Sequence, residues 1–139
     1  DEQWEIMKQH PVIGERIVAR IPGLEEVAQA IRHEHERWDG GGYPDGLKGD
    51  SIPLASRIVL VCDAFHAMTS DRPYRAAMPI EDARAELVRN AGTQFDPVIV
   101  GALLSSLDMG AGDDATKLDP AASKLIDGTF ESPTALQSV

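Results

Sequence analysis

The stretch from Leu54 to Thr69 constrains the fold of this 139-residue chain more than any other. It is apolar on nearly every side, through Leu54, Ile58, Val59, Leu60, Val61, Cys62, Ala64, Phe65 and Ala67. A helix without a polar stripe is expected to be central and buried, with other helices laid around it. Candidates for those helices flank it. Glu2 to about Gln9 reads as a polar helix carrying Trp4, Ile6 and Met7. Pro11 suits the first turn of a new helix, whose apolar face is Val12, Ile13, Ile17, Val18 and Ile21. Pro22-Gly23 breaks it. Leu24, Val27, Ala28, Ile31 and Trp38 then recur at helical spacing, predicting a helix from about Leu24 to Trp38. A further helix opens at Pro79 or Ile80 and ends near Asn90-Ala91-Gly92. Asp96-Pro97 has the form of an N-cap followed by proline at the first helical position, opening a helix to Leu107. No repeat and no strand alternation interrupts this series, so the fold class is all-α.

The chain is long enough for one domain. From Asp108 to Val139 the character changes to six acidic and two basic residues among scattered Gly, Pro, Ser, Thr and Ala. Residues 108–139 are therefore expected to form an acidic, partly disordered tail, with a short helix near Ala121 to Ile126. Formal net charge is -10, which argues against a DNA or RNA polymer as partner, since that needs basic residues in excess. The single cysteine, Cys62, makes no disulfide within the chain and fits a reducing cytoplasmic setting. No apolar window has the length of a membrane span.

Chemistry-bearing residues gather in His33-Glu34-His35-Glu36-Arg37-Trp38-Asp39-Gly40-Gly41-Gly42-Tyr43-Pro44-Asp45-Gly46. Imidazoles and carboxylates beside a loop that allows close backbone approach suit metal-assisted chemistry on a phosphate-bearing ligand. At 100° per residue, His35 falls in the stripe of Val27, Ile31 and Trp38, Glu34 at its edge, and His33 toward solvent. A lone inward histidine is commonly a neutral core group held by hydrogen bonds. Glu34 and the glycine loop favour a ligand role for His35 instead. Asp63, in the middle of the apolar helix, is costly to bury unless paired or metal-bound. A salt bridge to Arg57 and metal ligation are both open, and His66 shares its face at i+3. Arg72 and Arg75, three apart around Pro73, can clamp phosphate oxygens in fork geometry or simply pair with surface acids. Gly40-Gly41-Gly42 is not a P-loop, because no Gly-Lys-Ser/Thr follows.

The order of motifs resembles one family. Trp4-Glu5-Ile6-Met7-Lys8-Gln9-His10-Pro11-Val12-Ile13-Gly14 is followed by His35-Glu36-Arg37-Trp38-Asp39-Gly40-Gly41-Gly42-Tyr43-Pro44-Asp45-Gly46-Leu47. Then come Ile52-Pro53-Leu54-Ala55-Ser56-Arg57-Ile58, Asp63-Ala64-Phe65-His66-Ala67-Met68-Thr69-Ser70-Asp71-Arg72-Pro73-Tyr74-Arg75 and Gly92-Thr93-Gln94-Phe95-Asp96-Pro97. Over roughly residues 1–107 this resembles the HD-GYP family, bacterial cyclic di-GMP phosphodiesterases of the HD metal-dependent phosphohydrolase superfamily. The resemblance implies a helical HD-type phosphohydrolase fold and two or three iron or manganese ions in the complete domain. By position, His10, His35 and Asp63 match metal ligands, and Glu34 stands where the fullest sites carry histidine. Gly42, Tyr43 and Pro44 match the naming motif. Tyr43, Arg72 and Arg75 match positions that contact the dinucleotide. The implied reaction is hydrolysis of a phosphodiester, with close metal ions orienting the nucleophile and balancing charge.

The family's His-Asp pair normally precedes the segment that begins here at Asp1. The chain is accordingly expected to be the C-terminal portion of such a domain, incomplete at its N-terminus and inactive alone. Two roles follow from the resemblance: part of a cyclic di-GMP phosphodiesterase in bacterial signalling, or an inactive remnant that binds a nucleotide or a protein. Diguanylate cyclase domains are the implied protein partner. Apolar surface left uncovered invites a homodimer that buries it.

Overall fold

The computed structural model describes residues 2–110, with side-chain surroundings for 4–108. The chain divides into a compact unit, Asp1–Leu104, and a second, Ser105–Val139. Among the described residues the structure is helical, without strands: α1 (Glu2–Met7), α2 (His10–Val18), α3 (Glu25–Arg32), a 3-10 turn (Gly49–Ser51), α4 (Leu54–Thr69), α5 (Ile80–Arg89) and α6 (Pro97–Gly110). The all-α expectation holds. The helix of 54–69 has the expected limits, and α6 runs three residues past its expected end. The tail's expected disorder and its short helix fall from residue 111 onward, outside the described residues.

Local chemistry accounts for the boundaries. Pro11 sits in the first turn of α2. Asp96 caps α6, its Oδ1 accepting the Val98 N–H at 2.8 Å. Gly23 and Gly92 take the left-handed conformation, φ 87° and 83°, that ends the runs before them. The core is Val61, Leu87, Phe95 and Val100, with Leu60, Phe65, Met68 and Leu103 packed on it. It therefore joins α4, α5 and the start of α6.

Three devices fasten these elements together. Gly14 lets α2 and α3 close up, since a Cβ there would stand 2.8 Å from Ile31 Cγ2. Ser56, buried, donates to the Ala30 carbonyl at 2.9 Å. Arg57 on α4 reaches Asp96 at 2.9 Å and Asp50 at 3.1 Å, and lies over the Trp38 ring.

Two expectations need correction. The α4 helix is not buried all round: Leu54, Ile58 and Val59 are 56%, 41% and 44% exposed, and Cys62, Asp63 and His66 are exposed too. Composition shows which residues are apolar, but burial needs neighbours, and the helices packed against α4 leave these residues uncovered. The third helix stops at Arg32 rather than Trp38. Beyond it the backbone amides find other partners: Trp38 N–H goes to Gln94 O at 3.1 Å and Asp39 N–H to Thr93 O at 2.8 Å. Those bonds draw the chain across to the α5–α6 connection, and no i−4 partner remains for a helix.

Candidate metal and phosphodiester site

His10 opens α2, and Glu34 and His35 stand on the turn that leaves α3. Their ligand-type atoms lie within 4.8 Å of one another. His10 Nε2 and His35 Nε2 are 2.9 Å apart, His10 Nε2 and Glu34 Oε1 3.4 Å, and His35 Nε2 and Glu34 Oε1 3.9 Å. A triangle with those sides has a circumscribed radius of about 2.0 Å, and imidazole and carboxylate bonds to a divalent ion run roughly 2.0–2.2 Å. Two imidazoles and one carboxylate on one side of a point also form the donor set that first-row divalent ions take with open positions. The residues therefore fit a metal ion.

The surroundings prepare the ligands. His10 Nδ1 donates to the Met7 carbonyl at 2.5 Å, and in a neutral imidazole that donation leaves the lone pair on Nε2, toward His35 and Glu34. Burial pushes the His35 imidazole below its usual value, and His10 adds to the effect, while Glu34 and Asp63 pull it back up. A neutral His35 keeps a lone pair for an ion. Its ring stacks on Tyr43 with centroids 5.0 Å apart and planes at 24°. Burial, with help from Glu34, raises the Tyr43 hydroxyl above its usual value, so it stays a proton donor.

The glycine loop is held against this cluster. Glu36, 1% exposed, accepts three consecutive backbone N–H groups: Asp45 at 2.7 Å and Gly46 at 3.0 Å on Oε1, and Leu47 at 3.0 Å on Oε2. Tyr43 N–H donates to the His35 carbonyl at 3.2 Å. Gly42 permits that closure, because a Cβ there would meet Arg37 N at 2.3 Å and the His35 carbonyl at 2.6 Å. The Tyr43-Pro44 peptide bond is cis. On the loop's far side Arg32 forks onto Asp45 at 2.7 and 2.8 Å and reaches Glu15 at 2.7 Å.

The sequence profile of the HD domain family matches residues 1–99. A cyclic di-GMP phosphodiesterase of Thermotoga maritima is 47% identical over 105 residues, which cover 74% of this chain and 28% of the relative. This chain belongs to the HD-GYP family. A cyclic di-GMP phosphodiesterase response regulator of Xanthomonas campestris is 45% identical to this HD-GYP chain, covering 75% of it and 28% of the relative. A crystal structure of a cyclic GMP-AMP specific phosphodiesterase from Vibrio cholerae superposes with a TM-score of 0.65 at 26% identity, covering 90% of this chain and 26% of that one. The chain thus spans about a quarter of the length of the relatives it matches.

Within the HD-GYP fold the expected site residues divide. His10, Glu34, His35 and Tyr43 come together. Asp63 is exposed and lies outside the 4.8 Å group, yet its charge acts on His35. The alternative partner weighed for Asp63, Arg57, is taken by Asp96 and Asp50. Arg72 and Arg75 pair their backbones across a turn after α4, and Arg75 Nη2 donates to the Ala67 carbonyl at 2.6 Å. His33 corrects the helical-wheel reading. It is buried, 6% exposed, and its ring nitrogens lie 2.8 Å from Gln29 O and 3.0 Å from Asp45 Oδ2. The wheel phase failed because α3 had already ended. Sequence reasoning also missed Glu36. The available signal was three consecutive loop amides with no acceptor of their own and a carboxylate about ten residues upstream.

Proposed function

We propose that this chain carries the GYP-loop part of a metal-dependent phosphodiesterase centre that hydrolyses cyclic dinucleotides, cyclic di-GMP among them, in bacterial signalling. The observation that carries this reading is the His10–Glu34–His35 triangle, sized for an ion, with the Tyr43 hydroxyl beside it. Relatives named as cyclic di-GMP phosphodiesterases and as 3′3′-cGAMP-specific phosphodiesterases support the substrate class. Iron or manganese is the proposed ion, since a two-histidine, one-carboxylate set suits either. A bound ion supplies Lewis-acid polarisation of a phosphoryl oxygen and activation of water.

The chain's own groups do the rest. His10 and His35 present imidazole nitrogens, His10 oriented by Met7. Glu34 contributes the negative charge that favours a cation, and Asp63 extends that field on the α4 side as a proposed further ligand. The Tyr43 hydroxyl donates to a phosphate oxygen. Arg72 and Arg75, on the turn after α4, are the proposed cations for the dinucleotide's phosphates. Among the described residues no helix is long and apolar enough to cross a membrane. A cytoplasmic setting is proposed because the nucleotide messenger is made and used there. The surface of the Gly42-Tyr43-Pro44 loop is the proposed contact for a diguanylate cyclase domain, and the open apolar flank of α4 the proposed contact for a second copy.

Two measurements test the reading. Anaerobic titration of the chain with iron or manganese should show binding that His10→Ala and His35→Ala each weaken at least about tenfold, because lost ligands remove charge and preorganised geometry. Grafting residues 1–107 over the matching segment of the Thermotoga relative should preserve conversion of cyclic di-GMP to linear product, and His35→Ala in the graft should abolish it. Metal binding with no turnover in the graft would favour the second reading, a module that binds without hydrolysis.

A further inference from the structure

The corners of the metal triangle belong to two segments of chain. His10 opens α2, whereas Glu34 and His35 follow α3, so their spacing depends on how α2 and α3 are set against each other. The close approach of Gly14 and Ile31 brings the two helices together, but apolar contact is non-directional and does not fix where one stands along the other. Directional bonds do, and they converge on Glu15. Arg32 Nη1 donates to its Oε2 at 2.7 Å, and Gln29 Nε2 to its Oε1 at 3.2 Å. The same guanidinium holds the glycine loop with its remaining nitrogens. Nε donates to Asp45 Oδ2 at 2.7 Å and Nη2 to Asp45 Oδ1 at 2.8 Å, a bidentate fork, while His33 Nε2 lies 3.0 Å from the same Oδ2. Asp45 stands two residues after Tyr43, across Pro44. Arg32 itself is outside the ligand group.

We infer that Arg32 is a positioning residue for this site: one planar guanidinium spans two carboxylates, and sets the His10 corner through Glu15 and the Tyr43 ring through Asp45. Its donors lie in one plane in a fixed fork, so the directions to the two carboxylates are not independent. Lysine carries the same charge on a flexible stem but has no plane, and cannot fix both directions at once. The side chains of Arg32, Glu15 and Asp45 are 25%, 20% and 34% exposed, so water screens these pairs and their worth to stability is modest. Their worth to geometry is larger, because ligand bonds to an ion tolerate only small errors in spacing. That consequence for an ion rests on the phosphodiesterase reading. The spacing itself is measurable in the metal-free chain, so the two fail separately.

With four histidines in the full chain, the imidazole protons of His10 and His35 are assigned and followed by nuclear magnetic resonance well below the melting temperature. In the metal-free parent, His35 should show the ring-current shift of the stacked Tyr43 and a nuclear Overhauser contact with His10, whose ring centroids lie 5.0 and 4.8 Å away. Arg32→Lys should lose both signals, and its manganese affinity by calorimetric titration should fall about tenfold. Glu15→Gln should lose the His10 contact and manganese affinity while keeping the Tyr43 shift. Asp45→Asn should lose the Tyr43 shift while keeping the His10 contact. Val100→Ala, a truncation in the core of α4, α5 and α6, should lower the melting temperature yet keep both signals and the manganese affinity. Either signal surviving in Arg32→Lys overturns the proposal, as does manganese affinity unchanged from a parent that binds it. Loss of both signals in one single-arm variant, or in Val100→Ala, also overturns it, because Arg32 would then act only through stability. A parent that binds no manganese, with both signals lost in Arg32→Lys, would sink the metal reading and leave the role of Arg32 standing.

Discussion

Glu36→Gln is the most informative single substitution in this domain. The side chain keeps its size, so packing is preserved and only the polar bookkeeping changes. In the better amide orientation the oxygen retains the Asp45 and Gly46 N–H groups, and the new NH2 meets the Leu47 N–H that Oε2 now accepts at 3.0 Å. One bond to a carboxylate is lost, worth about 1.5–3 kcal/mol, and two buried donors are left facing each other. The two surviving bonds weaken as well, because the acceptor loses its charge. Easier burial of a neutral amide offsets part of this. The expected net cost is about 2–4 kcal/mol. For a folded unit on the order of 100 residues, that lowers Tm by about 8–16 °C. Calorimetry and denaturant melts followed by far-UV circular dichroism measure it. The loop carries Tyr43 onto His35, so metal affinity should fall about tenfold in the same variant. A change under about 0.5 kcal/mol would refute the claim that Glu36 holds the loop. Full destabilisation with unaltered metal affinity would show that the loop and the ligands are not coupled.

Other substitutions probe the remaining parts. Gly42→Ala should destabilise by about 1–3 kcal/mol and loosen Tyr43 from His35, because a methyl group has no room against the Arg37 amide and the His35 carbonyl; a melt of the variant unchanged from the parent would contradict it. Asp96→Ala removes the buried partner of Arg57 and the cap of α6 together, with a cost of about 3–5 kcal/mol expected in denaturant melts. Glu34→Ala should weaken binding of the first ion about tenfold or more by calorimetric titration, and unchanged affinity would remove Glu34 from the ligand set. For pH dependence, the Arg32 guanidinium, with His33, holds the Asp45 carboxyl down at about 2, and Arg37 with the Gly41 amide does the same for Asp39. A depressed folded-state pKa stabilises above the unfolded value and is lost as pH falls. Stability should therefore drop between about pH 4 and pH 2, modestly because both groups are partly exposed, and an Asp39→Asn, Asp45→Asn double variant should flatten that slope.

The amino-acid sequence by itself determined the helices and their punctuation. Apolar spacing set α2 and α4, and the Asp96-Pro97 pair started α6, because periodicity, proline geometry and capping act within a few residues of chain. The order of His10, His35 and the Gly42-Tyr43-Pro44 loop likewise identified the family, since each motif is contiguous. The end of α3 was different. Whether the chain stays helical to Trp38 depends on amides 38 and 39 finding the carbonyls of Thr93 and Gln94, more than fifty residues away. That long-range pairing turned His33 inward, placed Glu36 under the loop amides and left His35 half-exposed beside Tyr43. The exposure of Ile58, Val59 and Asp63 was equally invisible, because residue type reports what a side chain would gain by burial, and only the packed neighbours decide whether it is buried.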